Sequence, residues 1–180
     1  AGGPKQYARI AGEAVLTHTI RAFARHPRID VVQVVTHADD LAAYREAWPH
    51  EGLPVLPPVT GGATRQISGR LGLEAIAHRE PSRVLIHDAA RPIVAPEIID
   101  RVLDALGVTA GAIPALAVAD TLKRADAAGR ITGTVDRSGL WRAQTPQGFR
   151  YADILAAHRR AADAGRDDFT DDAALAEWAG

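Results

Sequence analysis

The sequence predicts an α/β domain built on a doubly wound, mostly parallel sheet. Short apolar runs that do not alternate with polar residues are separated by amphipathic helical stretches. Such runs indicate strands covered on both faces, as in a parallel sheet flanked by helices. The length, 180 residues, fits one domain with a substantial core.

Taken in order, "EAVLTHTIRAFARH" places Val15, Leu16, Thr19, Ile20 and Phe23 on one helical face. "VVQVVTHA" (31–38) is a short β-branched strand, and Asp39–Asp40 after it is a helix start. "LPVLPPVTGG" (53–62) reads as a strand entering a loop. "SGRLGLEAIAHR" is a helix with Leu71, Leu73 and Ile76 close together, and "APEIIDRVLDALG" is another with Ile98, Val102 and Leu106. "RVLIHDA" and "AGAIPALAV" (110–118) are two further strands. "TLKRADAAGRITGTVDR" (121–137) breaks this rhythm: it is polar and β-rich, with a turn at Asp126–Gly129, and reads as a hairpin. That hairpin is either a solvated surface ribbon or an arm reaching a partner subunit. "LWRAQTPQGF" (140–149) has neither helical nor strand period, and "DDFTDDAAL" starts a helix at Thr170 or Asp171.

Composition removes several function classes. The net charge of -1 gives no electrostatic footprint for nucleic acid or a membrane surface. Cysteine is absent, which excludes disulfides and thiolate chemistry. No apolar stretch approaches the roughly 20 residues of a membrane span. Methionine is also absent, so Ala1 is expected not to be the translational start. The seven histidines lack metal-ligand spacing, with His18 and His26 read as ordinary helix residues. HExxH, Walker A and GxSxG patterns do not occur.

In an open α/β sheet, ligands sit beyond the carboxyl ends of the strands. "VLIHDAARP" (84–92) therefore delivers His87 to Arg91 to the ligand side. Asp88 can hold a sugar hydroxyl or a metal, and Arg91 can grip a phosphate bidentately. Ala89 and Ala90 leave room at the backbone. The structural alternative is a local Asp88–Arg91 salt bridge. "TGGATRQISG" offers Gly61 and Gly62, then Thr64, Arg65 and Ser68 opening a helix, a natural anion or base pocket; the plain alternative is a capped strand-to-helix turn. Lys5 follows a Gly-Gly-Pro turn and suits a phosphate as a compact charge.

The motifs "PKQY", "GGATRQISGRLGL", "VLIHDAARP", "DTLKR", "TVDRSGLWRAQTPQGF" and "TDDA" occur in this order across nearly the whole chain. In that order and spacing the chain resembles the 2-C-methyl-D-erythritol 4-phosphate cytidylyltransferases. The resemblance implies a Rossmann-like nucleotidyltransferase sheet with a protruding β-hairpin arm. It also implies transfer of the cytidylyl group of CTP to the alditol phosphate with release of pyrophosphate, in non-mevalonate isoprenoid biosynthesis in the cytoplasm. Mg2+ would be held mainly by the CTP phosphates. Lys5 and Arg137 take catalytic roles; Gly61, Gly62, Ser68, Asp88 and Ala89 bind the nucleotide. Asp88, Arg91, Thr121, Arg137, Thr145 and Thr170 bind the alditol phosphate, and Asp88 is also the candidate metal contact. Asp88 and Arg91 are thus expected to divide one sugar-phosphate between them rather than pair with each other. The arm, Thr121 to Arg137, would cross to a second subunit and make a homodimer.

The family pattern also has a glycine-rich phosphate loop before the position of Ala1 and a further lysine beyond Gly180, and both are expected in the parent protein. Residues 1–180 are thus expected to be a single cytidylyltransferase domain. Gly69 departs from the valine common at this position. Some family members are fused to a methylerythritol cyclodiphosphate synthase, and the Ala/Arg-rich composition suits such a source. Two other readings are a ribitol-5-phosphate cytidylyltransferase and a non-catalytic nucleotide-binding dimerisation domain. A dinucleotide-binding oxidoreductase has no G-x-G-x-x-G to support it.

Overall fold

The structure, a computed structural model, describes residues 3–49 and 52–180. Gly2 of the expected Gly-Gly-Pro turn lies outside them. A 3-10 turn at Lys5–Tyr7 leads into a small hairpin, β1 (Arg9–Ile10) and β2 (Glu13–Ala14), and then into α1 (Val15–Ala24). The five residues assigned to the apolar face of α1 are all buried. His18 lies in this helix, whereas His26 falls just beyond its end.

The strands and helices then alternate: β3 (Val35–Thr36), α2 (Leu41–Ala47), β4 (Val59–Thr60), α3 (Arg65–Ala75), β5 (Arg83–Ile86), α4 (Pro96–Ala105) and β6 (Gly111–Ala112). Pro96 opens α4, where its missing N–H costs nothing. The run at 110–118 is interrupted at Pro114, so β7 (Ala115–Ala117) is a separate strand. The polar segment forms β8 (Leu122–Ala125) and β9 (Ile131–Val135), joined antiparallel as a hairpin. Then come β10 (Trp141–Ala143), β11 (Gln147–Arg150), α5 (Tyr151–Asp163) and α6 (Asp172–Ala179).

Helices cover both faces of β5. Val84 and Ile86 pack into a core with Leu73 of α3, Ile154 and Leu155 of α5 and Leu175 of α6. Leu85, between them, packs with Phe23 of α1 and with Ile99 and Leu103 of α4. This alternation is the doubly wound arrangement. The expectation of mostly parallel pairing needs correction. β3 and β4 pair parallel, extended by a Val32–Val55 bridge, but β11 runs antiparallel between β5 and β6. β5 and β6 consequently share a direction without touching. The segment containing β10 and β11 showed no strand period because Pro146 and the buried Gln147 interrupt its apolar residues.

Candidate active site

The turn from β4 into α3 is shaped by close contacts. Gly61 N–H donates to Thr36 O at 2.8 Å, continuing the parallel ladder past the strand end. Gly62 N–H donates to Ser68 Oγ at 3.1 Å, and the Ser68 hydroxyl donates to Thr64 O at 2.9 Å. Thr64 caps α3 by accepting from Ile67 N–H at 3.2 Å. A Cβ on Gly61 would stand 2.6 Å from Ser68 Oγ, and one on Gly62 would stand 2.1 Å from Ile67 Cγ2. Both positions therefore require glycine for space. The result is a cleft of about 150 Å³ that Gly61, Gly62 and Ser68 line together with Ala89, Thr36 and Tyr7. Its size is below the ~300 Å³ lower end for sites enclosing a whole small molecule and suits one part of a ligand, such as a base.

The loop after β5 forms the next wall. The His87 ring lies 4.7 Å from that of Phe23, and Nε2–H donates to Arg91 O at 2.9 Å. Burial, the largest influence, holds the His87 pKa below its ordinary value. The neutral ring therefore pins the loop rather than serving as a proton donor. Asp88 and Arg91 are paired, with Arg91 Nε donating to Asp88 Oδ2 at 2.8 Å, contrary to the expectation that they stay apart. Arg91 Nη1 also donates to Gln144 Oε1 at 2.7 Å. The physical reason is proximity: the i, i+3 spacing in a tight turn puts the two charges in contact. Asp88 N–H points at Thr145 Oγ1 at 3.5 Å, bringing Thr145 to this wall.

The other predicted residues are placed at varying distance from this cleft. Lys5 is exposed, next to Gln6 and Tyr7 on the rim, and Thr170 is exposed immediately before Asp171, the cap of α6. Asp171 is tied to Gln147 on β11 (2.8 Å), two residues from Thr145. Thr121 and Arg137 sit at the base of the hairpin, exposed; the Arg137 guanidinium donates to Ala119 O. Hairpin side chains bond one another, as Lys123 does to Thr134 at 2.6 Å, and none reaches the cleft among the described residues. Within one chain the structure thus gathers Gly61, Gly62, Ser68 and Ala89, adjoins Asp88, Arg91 and Thr145, and leaves Thr121 and Arg137 outside.

Sequence reasoning missed Thr36, whose hydroxyl meets Tyr7 Oη at 2.9 Å, and His37, which caps the next turn by accepting from Asp39 N–H. Thr36 ends β3 and His37 follows it, so the strand-end rule applied to "VVQVVTHA" was the available signal. Among the described residues no three carboxylates, imidazoles or thiols converge as a metal site. Asp40 lines the cleft itself, and Asp88, on the adjoining loop, already faces two guanidinium groups, Arg91 and Arg65. These residues do not fit a protein-held cation, so the possible metal role of Asp88 gains no support.

A strand-end cleft with a glycine turn and a half-buried serine is where an α/β domain of this kind holds its ligands. The chain belongs to the family described as "IspD: 2-C-methyl-D-erythritol 4-phosphate cytidylyltransferase", which matches residues 1–180. It is 56% identical over 180 residues to the "Bifunctional enzyme IspD/IspF" of Rhodopseudomonas palustris (strain HaA2), covering 100% of this chain and 44% of that protein. A protein of the same name from Mesorhizobium japonicum is 55% identical over 179 residues, covering 99% of this chain and 44% of its own length. The chain thus spans less than half the length of these curated relatives. The crystal structure of 2-C-methyl-D-erythritol 4-phosphate cytidylyltransferase from Thermus thermophilus superposes with a TM-score of 0.80 at 35% identity, covering 99% of this chain and 80% of that one.

Proposed function

We propose that this chain catalyses cytidylyl transfer from CTP to 2-C-methyl-D-erythritol 4-phosphate, in the cytoplasm. The observation that carries the reading is the cleft that joins Gly61, Gly62, Ser68 and Ala89 in a chain matching the family from end to end. A cytosine fits this cleft chemically. Ser68 Oγ has used its proton on Thr64 and one lone pair on Gly62, leaving one lone pair to accept from an amino group. Ala89 leaves backbone accessible beside it, and Asp88 can accept from a sugar hydroxyl.

In the reaction, an oxygen of the substrate phosphate attacks the α-phosphorus of CTP. A P–O bond forms to that oxygen, the α–β bridging bond breaks, and pyrophosphate leaves with the electron pair. Magnesium enters with CTP as part of the substrate. Lys5, compact and exposed on the rim, neutralises charge on the phosphates, while Arg91 leaves Asp88 to take the alditol phosphate. Thr145 and Thr170 line the same side. Such chemistry rests on positioning and charge neutralisation.

The hairpin supplies Thr121 and Arg137 to the site of a second subunit in this reading. Exposed apolar side chains on and beside it support a covered surface: Ile131 is 67%, Trp141 63% and Leu116 54% accessible. The naming of the relatives supports reading the chain as the cytidylyltransferase part of a bifunctional enzyme. Pyrophosphate release with CTP and the alditol phosphate tests the activity; turnover with ribitol 5-phosphate alone would overturn the substrate. Replacing residues 123–134 by a short turn should leave a monomer of little activity, and an active dimer would overturn the arm's role.

A further inference from the structure

A buried polar cluster lies behind the cleft, and none of the roles assigned above uses it. Asp172 opens α6 with its side chain 2% exposed, and His158 on α5 is 0% exposed. His158 Nε2–H donates to Asp172 Oδ1 at 2.9 Å. Arg65 Nη2 stands 2.8 Å from Asp172 Oδ2, an ion pair too bent to count as a directed hydrogen bond. Burial, the largest influence, pushes the Asp172 pKa up, but the His158 hydrogen bond and the Arg65 charge outweigh it and keep the carboxyl below its ordinary value. Desolvating such a cluster is costly, and buried ion pairs seldom repay that cost in stability. Helix α3 is shaped around it: a Cβ on Gly69 would come 3.3 Å from His158 Cε1 and 3.6 Å from Asp172 Oδ1.

The other end of Arg65 faces the cleft wall. Its Nε lies 3.9 Å from Asp88 Oδ1, while Asp88 Oδ2 is bonded to Arg91. The Asp88 carboxylate is therefore bracketed by two guanidinium groups of different kind. Arg91 holds Asp88 and the half-buried Gln144, whereas Arg65 is paired with the buried carboxylate of Asp172. Should Arg91 turn to a phosphate, Arg65 would be the guanidinium left beside Asp88.

We propose that Arg65 is a positioning residue that, anchored by the Asp172–His158 pair, sets the Asp88 carboxylate for the substrate hydroxyl. This rests on the cytidylyltransferase reading. The test is a double-mutant cycle in the full-length protein, read as kcat/KM for the alditol phosphate at saturating CTP. Wild type, Arg65→Gln, Asp88→Asn and the double variant are compared. Arg65→Gln is expected to lose about 10- to 100-fold in the wild-type background, the scale of a misplaced catalytic geometry. In the Asp88→Asn background it should lose less than about 2-fold, the margin within which independent effects add. Arg65→Lys, which can pair with Asp172 but cannot span to Asp88, should follow the same pattern and serves if Arg65→Gln does not fold. Equal fold-losses in both backgrounds would show a merely structural role and overturn the inference while leaving the activity standing. A wild-type protein without turnover would instead overturn the functional reading itself, and the inference with it.

Discussion

Gly61→Ala is a small change with a large local consequence. The added methyl would stand 2.6 Å from Ser68 Oγ, 3.2 Å from Ser68 Cβ and 3.2 Å from Val35 Cγ1 on β3. Ser68 is the part that can yield, by rotating its hydroxyl away. That rotation breaks the bond from Gly62 N–H, worth about 0.5–1.5 kcal/mol. The contacts that rotation cannot relieve, at Ser68 Cβ and Val35, add an overpacking cost of about 1–3 kcal/mol. A total loss of about 1.5–4.5 kcal/mol should appear as a lower urea midpoint with unchanged slope. Since the same rotation removes the hydroxyl proposed to read the base, the KM for CTP should rise by about 10-fold, equivalent to about 1.4 kcal/mol. Gly61→Ala combined with Ser68→Ala removes the 2.6 Å clash, so the double variant should be more stable than the two single losses add up to. Unchanged stability together with an unchanged KM for CTP in Gly61→Ala would refute this account of the turn.

Ile99, fully buried between α1 and β5, should cost about 2–5 kcal/mol when truncated to Ala, measured by denaturant unfolding; a loss below about 1 kcal/mol would contradict its place in the core. His87 has a lowered pKa in the folded protein, so the unfolded chain takes up a proton that the folded chain refuses. Its contribution to stability is present above about pH 6.5 and falls as pH drops below that value; His87→Leu should flatten the stability–pH slope between about pH 6.5 and 5, and an unaltered slope would count against a buried neutral ring. Arg137→Ala should raise the KM for the alditol phosphate far more than that for CTP, and a defect confined to CTP would contradict its assignment.

Much of the layer arrangement was legible because it is written in local periodicity. Every residue placed on the apolar face of α1 is buried, and β5 lies within the run that suggested it. On α4 the same reasoning found Val102 and Leu106 but passed over Ile99 and Leu103, because it followed a single i, i+4 row from Ile98 rather than the broader stripe facing β5. The antiparallel β11 was hidden by Gln147. A buried glutamine looks like a break in a strand until its amide is seen to bond Asp171 and the first N–H groups of α6. Those partners are more than twenty residues away, and no local pattern carries them. The same holds for Arg65, whose two carboxylates come from the loop after β5 and from the first turn of α6, far along the chain. That Gly61, Gly62 and Ser68 would come together was legible because the glycine turn and the helix start lie within eight residues of sequence.

The most direct measurement is pyrophosphate release by the full-length protein with CTP and 2-C-methyl-D-erythritol 4-phosphate, set beside the same assay for Ser68→Ala. The account predicts turnover that needs both substrates, with a raised KM for CTP in the variant. No pyrophosphate from the wild-type protein, or a variant indistinguishable from it at limiting CTP, would contradict the placement of the nucleotide in this cleft.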